Sequence, residues 1–264
     1  MAAPRADRIL RRHARVLGSS RAATETWWME LDAPDIAAAA EPGQFLMVGF
    51  GLQGIDPPFL PRPFSIGWRG DDGRIGLLVR EFGAGTRRLA RLRAGDQVLL
   101  LGPLGRPFSL PDGGPLVCVA GGVGLAPFLF LVPEALRAGV DVRLLYGERT
   151  GDRVFDPKLV ERLTGLEPRI YTEDGTAGRR GLVLRGISPE EKPELCGCGP
   201  TPMLRALERL ARAADLRLQV SVEEHMGCGI GTCQGCVVRS ADGRWIKSCT
   251  EGPVFERREL AWQD

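Results

Sequence analysis

The sequence predicts three successive units: an antiparallel β-barrel or sandwich over 1–112, a parallel α/β unit over 113–222 and a small module over 223–264. Three observations predict it. Short apolar runs separated by turn signals fill the chain up to Leu110, a buried strand, glycine turn and helix follow from Leu116, and after Glu223 regular periodicity gives way to glycine and cysteine.

The first unit rests on runs such as Phe45-Leu46-Met47-Val48, Ile75-Gly76-Leu77-Leu78-Val79 and Gln97-Val98-Leu99-Leu100-Leu101, each short enough for one strand. Pro111-Asp112-Gly113-Gly114-Pro115 then reads as a linker. Beyond it, the apolar strand Leu116 to Ala120, a glycine turn, a helical pattern from Pro127 to Ala138 and the strand Val142 to Tyr146 make a βαβ unit, which implies a parallel sheet. The alternation continues through a helix at Pro157–Leu163, a strand near Arg169–Thr172, Leu195–Cys198, a helix from Pro202 to Ala214 and a last strand from Leu216 to Val222. The stripe Leu204, Leu207, Leu210 and Ala211 has helical spacing and reads as core.

Composition excludes several classes. Lys and Arg total 35 against 33 Asp and Glu, spread along the chain, which argues against a nucleic-acid surface built on bulk charge. The uncharged run from Pro115 up to Glu134 approaches the roughly 20 residues of a membrane span, but Gly121, Gly122, Gly124 and Pro127 break it. A soluble, cytoplasmic protein is expected. Arg5, Arg8, Arg11, Arg12 and Arg15 precede no apolar core with a cleavage site, so they read as a decorated first strand, an Arg-rich transit peptide being the alternative.

Four of the seven cysteines crowd into 22 residues, which favours a metal site in a reducing compartment over a disulfide framework. Cys228, Cys233 and Cys236 follow C-x4-C-x2-C, and Cys249 comes after twelve more residues. This spacing is that of the plant-type [2Fe-2S] site, one loop supplying three thiolates and a separate segment the fourth. Gly227, Gly229, Gly231 and Gly235 let the loop turn with its amides toward the sulfurs. Zinc, the alternative, favours paired C-x2-C units, and only Cys233 and Cys236 form one. Cys118 lies in an apolar strand and reads as core, outside the set with Cys196 and Cys198.

Further signals concern phosphate. Arg62-Pro63-Phe64-Ser65 opens a strand, and about twenty residues later Gly83-Ala84-Gly85-Thr86 offers small residues whose amides can approach a diphosphate that Arg62 can neutralise. Gly121-Gly122-Val123-Gly124 and Cys198-Gly199-Pro200 both stand between a strand and a helix, the position at which α/β sheets bind dinucleotides.

Taken in order, RPFS, GAGT, the Gly102–Gly105 GPLG, GGVGLAP, CGPTPM and the cysteine cluster resemble the ferredoxin-reductase-like flavoproteins over almost the whole chain. Within them the chain is most similar to the electron-transfer subunits of NAD-dependent dihydroorotate dehydrogenase, through Val222 to Val237 and Lys247 to Phe255. The resemblance implies a barrel holding FAD, an α/β unit holding NAD(H), and a cluster exchanging electrons with the FMN of a separate catalytic subunit in pyrimidine biosynthesis, as a heterotetramer. Arg62, Pro63, Phe64 and Ser65 would contact the flavin and its diphosphate, Ser65 near the reactive ring. Leu78, Val79 and Arg80 would line it, Gly85 and Thr86 would hold its diphosphate, and Gly122, Gly124, Cys198, Gly199, Pro200 and Met203 would border the nicotinamide. Cys228, Cys233, Cys236 and Cys249 would ligate the cluster. Two positions depart from the family: Arg106-Pro107 replaces the common Asn-Gly, and His225 stands where Arg is frequent. Small subunits of ferredoxin:NADP oxidoreductases and hydrogenases are related. A stand-alone reductase shares much of the same pattern, and a zinc-stabilised interaction module shares the least of it.

Only His13 and His225 are present, neither beside a Ser or Cys nucleophile motif, so a hydrolytic triad has little support. His225 reads as a surface contact or as a hydrogen-bond partner of the cluster loop. Glu223 and Glu224 read as a solvated turn, and Trp27 and Trp28 as barrel packing.

Overall fold

The computed structural model describes residues 9–50, 60–111 and 113–262; Arg5, Arg8 and the boundary residue Asp112 lie outside them. The first unit comprises β1 (Leu10–Ala23), β2 (Thr26–Asp32), α1 (Pro34–Ala39), β3 (Phe45–Gly49), β4 (Arg62–Ser65), β5 (Trp68–Arg69), β6 (Arg74–Arg80), α2 (Ala84–Ala90) and β7 (Gln97–Leu104). Its seven strands form one sheet in the order β4-β3-β7-β1-β2-β6-β5, antiparallel throughout. The edge strands β4 and β5 are separated by Ile66 and Gly67 alone. Ile66 N–H donates to Gln44 at 3.0 Å, just before β3, and Gly67 N–H donates to Gly76 in β6 at 2.9 Å. The two edges therefore meet, and the sheet curls into a barrel rather than a sandwich.

Alternation decides what fills it. Ile75, Leu77 and Val79 of β6 point inward with Met29, Leu31, Leu46, Val48 and Leu100, all essentially fully buried. Leu78 and Trp28 point the other way, into a cluster shared with Phe128 and Phe155 of the second unit. Trp28 meets Phe155 edge-on at 6.1 Å. Of the two tryptophans expected in the barrel, only Trp27 packs against its core, its Nε1 donating to Glu81; Trp28 belongs to the junction between units. Strand parity separates them, since adjacent residues face opposite sides.

The second unit runs through β8 (Leu116–Gly121), α3 (Ala126–Arg137), β9 (Val142–Glu148), α4 (Pro157–Thr164), β10 (Arg169–Thr172), β11 (Arg179–Arg180), β12 (Glu194–Cys198), α5 (Thr201–Ala213) and β13 (Leu218–Ser221). The chain then forms β14 (Val237–Arg239), β15 (Trp245–Lys247) and β16 (Val254–Glu256). The second sheet has the order β11-β10-β9-β8-β12-β13-β16, parallel except for β16, which pairs antiparallel with β13. Sequence periodicity missed β14 to β16, because three residues are too few to display alternation. The last strand of this sheet is therefore β16, not the segment ending at Val222. On α5, Leu204, Leu207 and Ala211 are buried and Leu210 packs beside them, as core spacing requires. Among the described residues no helix is long and apolar enough to cross a membrane.

The departure at Arg106 has a structural role. Its N–H donates to the Gly252 carbonyl at 2.5 Å, and its guanidinium grips both oxygens of Glu259 at 2.9 and 2.5 Å while lying over Phe255. The barrel's last strand is thereby tied to the C-terminal segment. Burial alone would raise the Glu259 pKa, but the Arg106 guanidinium and the Glu256 amide bring it below the ordinary carboxylate value. A depressed folded pKa contributes stability that is present above the unfolded value of about 4.3 and disappears as pH falls through the folded one. Urea unfolding from pH 6 to pH 3 should therefore show a steeper acid loss in the wild type than in Glu259→Gln; parallel curves would refute the contribution.

Candidate functional site

In the second sheet the chain leaves β8 in one direction through β9 and β10 and returns on its other side through β12 and β13. The carboxyl ends of β8 and β12 form the point where strand order reverses, and there a crevice opens. Two glycine turns meet in it. Gly199, with φ +152°, has its Cβ position 2.9 Å from the Cα of Gly121, while a Cβ on Gly121 would stand 2.7 Å from the Met203 sulfur and 2.9 Å from the Pro200 ring. A Cβ on Gly124 would collide with the Cys198 carbonyl. Gly124, Gly199, Pro200 and Met203 thus hold the turns against each other, leaving Val123 and Cys198 toward the opening and Gly122 beside Arg80.

The crevice continues into a cleft of about 470 Å³ to which every unit contributes: Pro63, Phe64 and Ser65 from β4, Leu78 and Arg80 from β6, Val123, Cys198 and Ser221 from the second unit, and Glu223, Glu224 and Met226 from the segment beyond. Val79, between two lining residues, is fully buried in the barrel core, so it can offer the cleft only its backbone. Gly85 and Thr86 are outside the cleft wall. A Cβ on Gly85 would strike the Arg62 guanidinium, which therefore lies directly on this loop. The Thr86 hydroxyl accepts from the amides of Phe82 and Gly83 and donates to the Gly83 carbonyl, so it is committed to shaping the loop.

Sequence reasoning missed several lining residues, among them Phe45, Phe82, Glu223 and Met226. Only the aromatic ring of Phe82, 92% exposed beside the Gly83–Thr86 turn, left a signal, as an apolar residue where a turn would be polar. Glu223 was read as part of a solvated turn. It is exposed there, as that reading has it, and it also lines the cleft mouth, where desolvation raises its pKa with Arg80 pulling it back. Burial likewise raises Glu224, against the opposing charge of His225.

The cysteine loop packs on the outside of the barrel. Gly229 and Gly231 adopt φ +75° and +83°, the left-handed region that favours glycine, and a Cβ on Gly229 would strike Met47. The four cysteines divide into two pairs. Cys233 N–H donates to the Cys228 sulfur at 3.4 Å; burial opposes ionisation of Cys228, but the amides of Cys233, Ile230 and Thr232 bring its pKa down to about 7. Cys249 is pushed up to about 12 by burial and by the neighbouring Cys236. Cys236 and Cys249 sit with Phe45, Met47 and Leu104 in an apolar seat, whereas Cys233 is exposed. Pairing suits a binuclear cluster, in which each iron takes two thiolates.

Two further observations fit a cluster here. Gly227 and Gly235 flank the Cys233 sulfur, and a Cβ at either would stand 3.6 or 3.7 Å from it, filling the space beside it. Ser248 and Thr250, on either side of Cys249, have buried hydroxyls without a hydrogen-bond partner. Buried hydroxyls are rarely left so, and thiolate or sulfide sulfur is the acceptor this neighbourhood would supply. Finally, Phe45 and Met226 belong to two places: both line the cleft, and both pack against the Cys236–Cys249 seat.

Residues 223–261 match the iron-sulfur cluster binding domain of dihydroorotate dehydrogenase B. The chain is 37% identical over 260 residues to the electron transfer subunit of dihydroorotate dehydrogenase B (NAD(+)) of Desulforamulus reducens, covering 95% of this chain and 98% of that one. It is 39% identical over 224 residues to the probable counterpart of Methanopyrus kandleri, covering 83% and 80%. Among solved structures, the NADH-dependent reduced ferredoxin-NADP oxidoreductase superposes with a TM-score of 0.82 at 24% identity over 94% of this chain and 90% of that one. The ferredoxin reductase of carbazole 1,9a-dioxygenase gives 0.66 at 22%, over 79% and 67%. These two likenesses speak for the ferredoxin-reductase-like fold.

Proposed function

The chain belongs to the family of electron-transfer subunits of dihydroorotate dehydrogenase B, and from that membership we propose that it relays electrons between NAD(H), FAD and a [2Fe-2S] cluster, to or from the FMN of a dihydroorotate dehydrogenase catalytic subunit in pyrimidine biosynthesis. The observation that carries this reading is the shared wall of Phe45 and Met226, which joins the dinucleotide cleft directly to the buried cysteine pair. A flavin accepts hydride from nicotinamide and passes electrons singly, which is the conversion a one-electron cluster requires.

The residues divide the work. Phe64, Ser65 and Leu78 offer the flavin ring a half-apolar surface with one hydroxyl, while Arg62 and the Gly83–Thr86 loop face its diphosphate. Gly122, Val123 and Cys198 border the nicotinamide. Cys228, Cys233, Cys236 and Cys249 hold the cluster, the inner pair toward the flavin cleft and the outer pair, with exposed Ile230, toward the partner. The division into 1–112, 113–222 and 223–264 then becomes one of cofactors, with β16 returning to brace the second sheet. We place the protein in the cytoplasm, in a heterotetramer with its catalytic subunit.

Protein purified without oxygen should show flavin and iron-sulfur absorbance, and the complex isolated from cells should contain an FMN subunit through which dihydroorotate reduces the bound FAD. Absence of both chromophores after reconstitution would remove the cofactor reading. A native complex without FMN would remove the pyrimidine assignment alone.

A further inference from the structure

The glycine turns at Gly85 and at Gly122 each have a guanidinium of their own. Arg62 lies on Gly85, so closely that a Cβ there would strike it. Arg80, although it leaves the neighbouring barrel strand, reaches away from that loop to the second sheet: its Nη1 is 3.2 Å from the Cβ position of Gly122, the turn that follows β8, where φ is +58°. The two arginines thus lie on different glycine turns.

What holds Arg80 there is a carboxylate of the second sheet. Its Nη2 donates to Glu148 at 2.5 Å and its Nε to the Thr26 hydroxyl at 3.3 Å. Glu148 has only 4% of its side chain exposed. The same oxygen accepts from the Tyr146 hydroxyl at 3.2 Å, and that hydroxyl accepts from the Phe155 amide at 3.3 Å. A buried ion pair is seldom worth more to stability than an apolar pair of the same size, so its presence at the mouth of a cleft is better explained by the geometry it enforces. That geometry leaves one arm over. Among the described residues Nη1 has no acceptor, and Arg80 lines the cleft. A forked guanidinium with an unused arm beside a strand-to-helix glycine turn is suited to a diphosphate.

On the function proposed above, two dinucleotides could present that group, the flavin and the pyridine nucleotide. We propose that Arg80 serves the pyridine dinucleotide, donating from Nη1 to its diphosphate at the Gly122 turn, and that Glu148 is the residue that positions it. This takes the Arg80 side chain away from the flavin, to which the family resemblance gave it. The flavin diphosphate keeps Arg62.

The test compares Arg80→Gln, Arg80→Lys and Glu148→Gln in the flavin-loaded protein, measuring bound FAD by absorbance and the affinity for NAD+, ADP-ribose and AMP by flavin fluorescence. Arg80→Gln should keep its FAD and bind NAD+ and ADP-ribose about tenfold or more weakly, with AMP, which lacks a diphosphate, nearly unchanged. Arg80→Lys should not restore affinity, because an ammonium lacks the fork. Glu148→Gln, with the arginine intact but unheld, should weaken NAD+ binding several-fold. Loss of FAD with NAD+ affinity unchanged would assign Arg80 to the flavin, and no change in either would make the pair merely structural; both overturn the proposal. If Arg80→Gln does not fold, the nearly isosteric Glu148→Gln decides: weakened NAD+ supports the proposal and unchanged NAD+ overturns it. Wild-type protein that binds FAD but no NAD+ would instead overturn the function on which the proposal rests.

Discussion

Cys233→Ser should leave the reduction of bound FAD by NADH at its wild-type rate while cutting electron delivery to the partner by a hundredfold or more. Loss of an outer hydrogen-bond partner at a metal site costs about ten- to hundredfold, and loss of a ligand must cost at least as much. The two steps separate because Cys233 is exposed in the outer pair, whereas the cleft is walled from the cysteines by Phe45 and Met226. Stopped-flow bleaching of the flavin reports the first step, and reduction of the catalytic subunit's flavin the second. Cys249→Ser should do more harm, since it leaves a hydroxyl within the apolar seat of Phe45, Met47 and Leu104. Wild-type delivery in Cys233→Ser would eliminate the proposed route.

Gly124→Ala should destabilise the protein by roughly 3 kcal/mol, at the top of the range for overpacking a well-filled site. In a chain of this size that lowers Tm by roughly 5 to 10 °C. The colliding atoms are the Cys198 carbonyl and the Gly199 amide nitrogen, backbone atoms that cannot rotate aside as a side-chain tip would. The two turns of the crevice must then separate, and NAD(H) affinity should fall with stability. Gly18→Ala is the control. Nothing lies within 4 Å of its Cβ position, so its effect should stay within about 0.5 kcal/mol. Thermal melts that rank the two substitutions equally would refute the close approach of the turns.

Much of this organisation was legible in the chain. The cysteine spacing pointed to a ligand set because cluster geometry imposes spacing along one loop. The strand, glycine turn and helix after Leu116 announced a parallel sheet for the same local reason, and the bounds of α3, α4 and α5 fall within a residue or so of the expected ones. Strands β14 to β16 were not legible, being only three residues each. β16 is stabilised by β13, more than thirty residues earlier, so no local pattern requires it to be a strand. Glu223 is an exposed turn residue, as its type suggests, but its place on the cleft wall was not legible because the rest of that wall comes from the barrel and from β12.

The sequence by itself determined which residues can do chemistry: four thiols at cluster spacing, small residues at the strand-to-helix turns, and two arginines near them. Their types and intervals are local properties, enforced within a few residues of chain. Only the tertiary structure decided how they are shared out. It buried Cys236 and Cys249 against the barrel while leaving Cys233 exposed, turned Trp28 outward to the junction and Trp27 inward, and directed Arg62 to one glycine turn and Arg80 to the other. Each of these outcomes depends on surfaces far apart in sequence packing at close range, where strand parity and a few ångströms of contact settle which face of each element meets which partner.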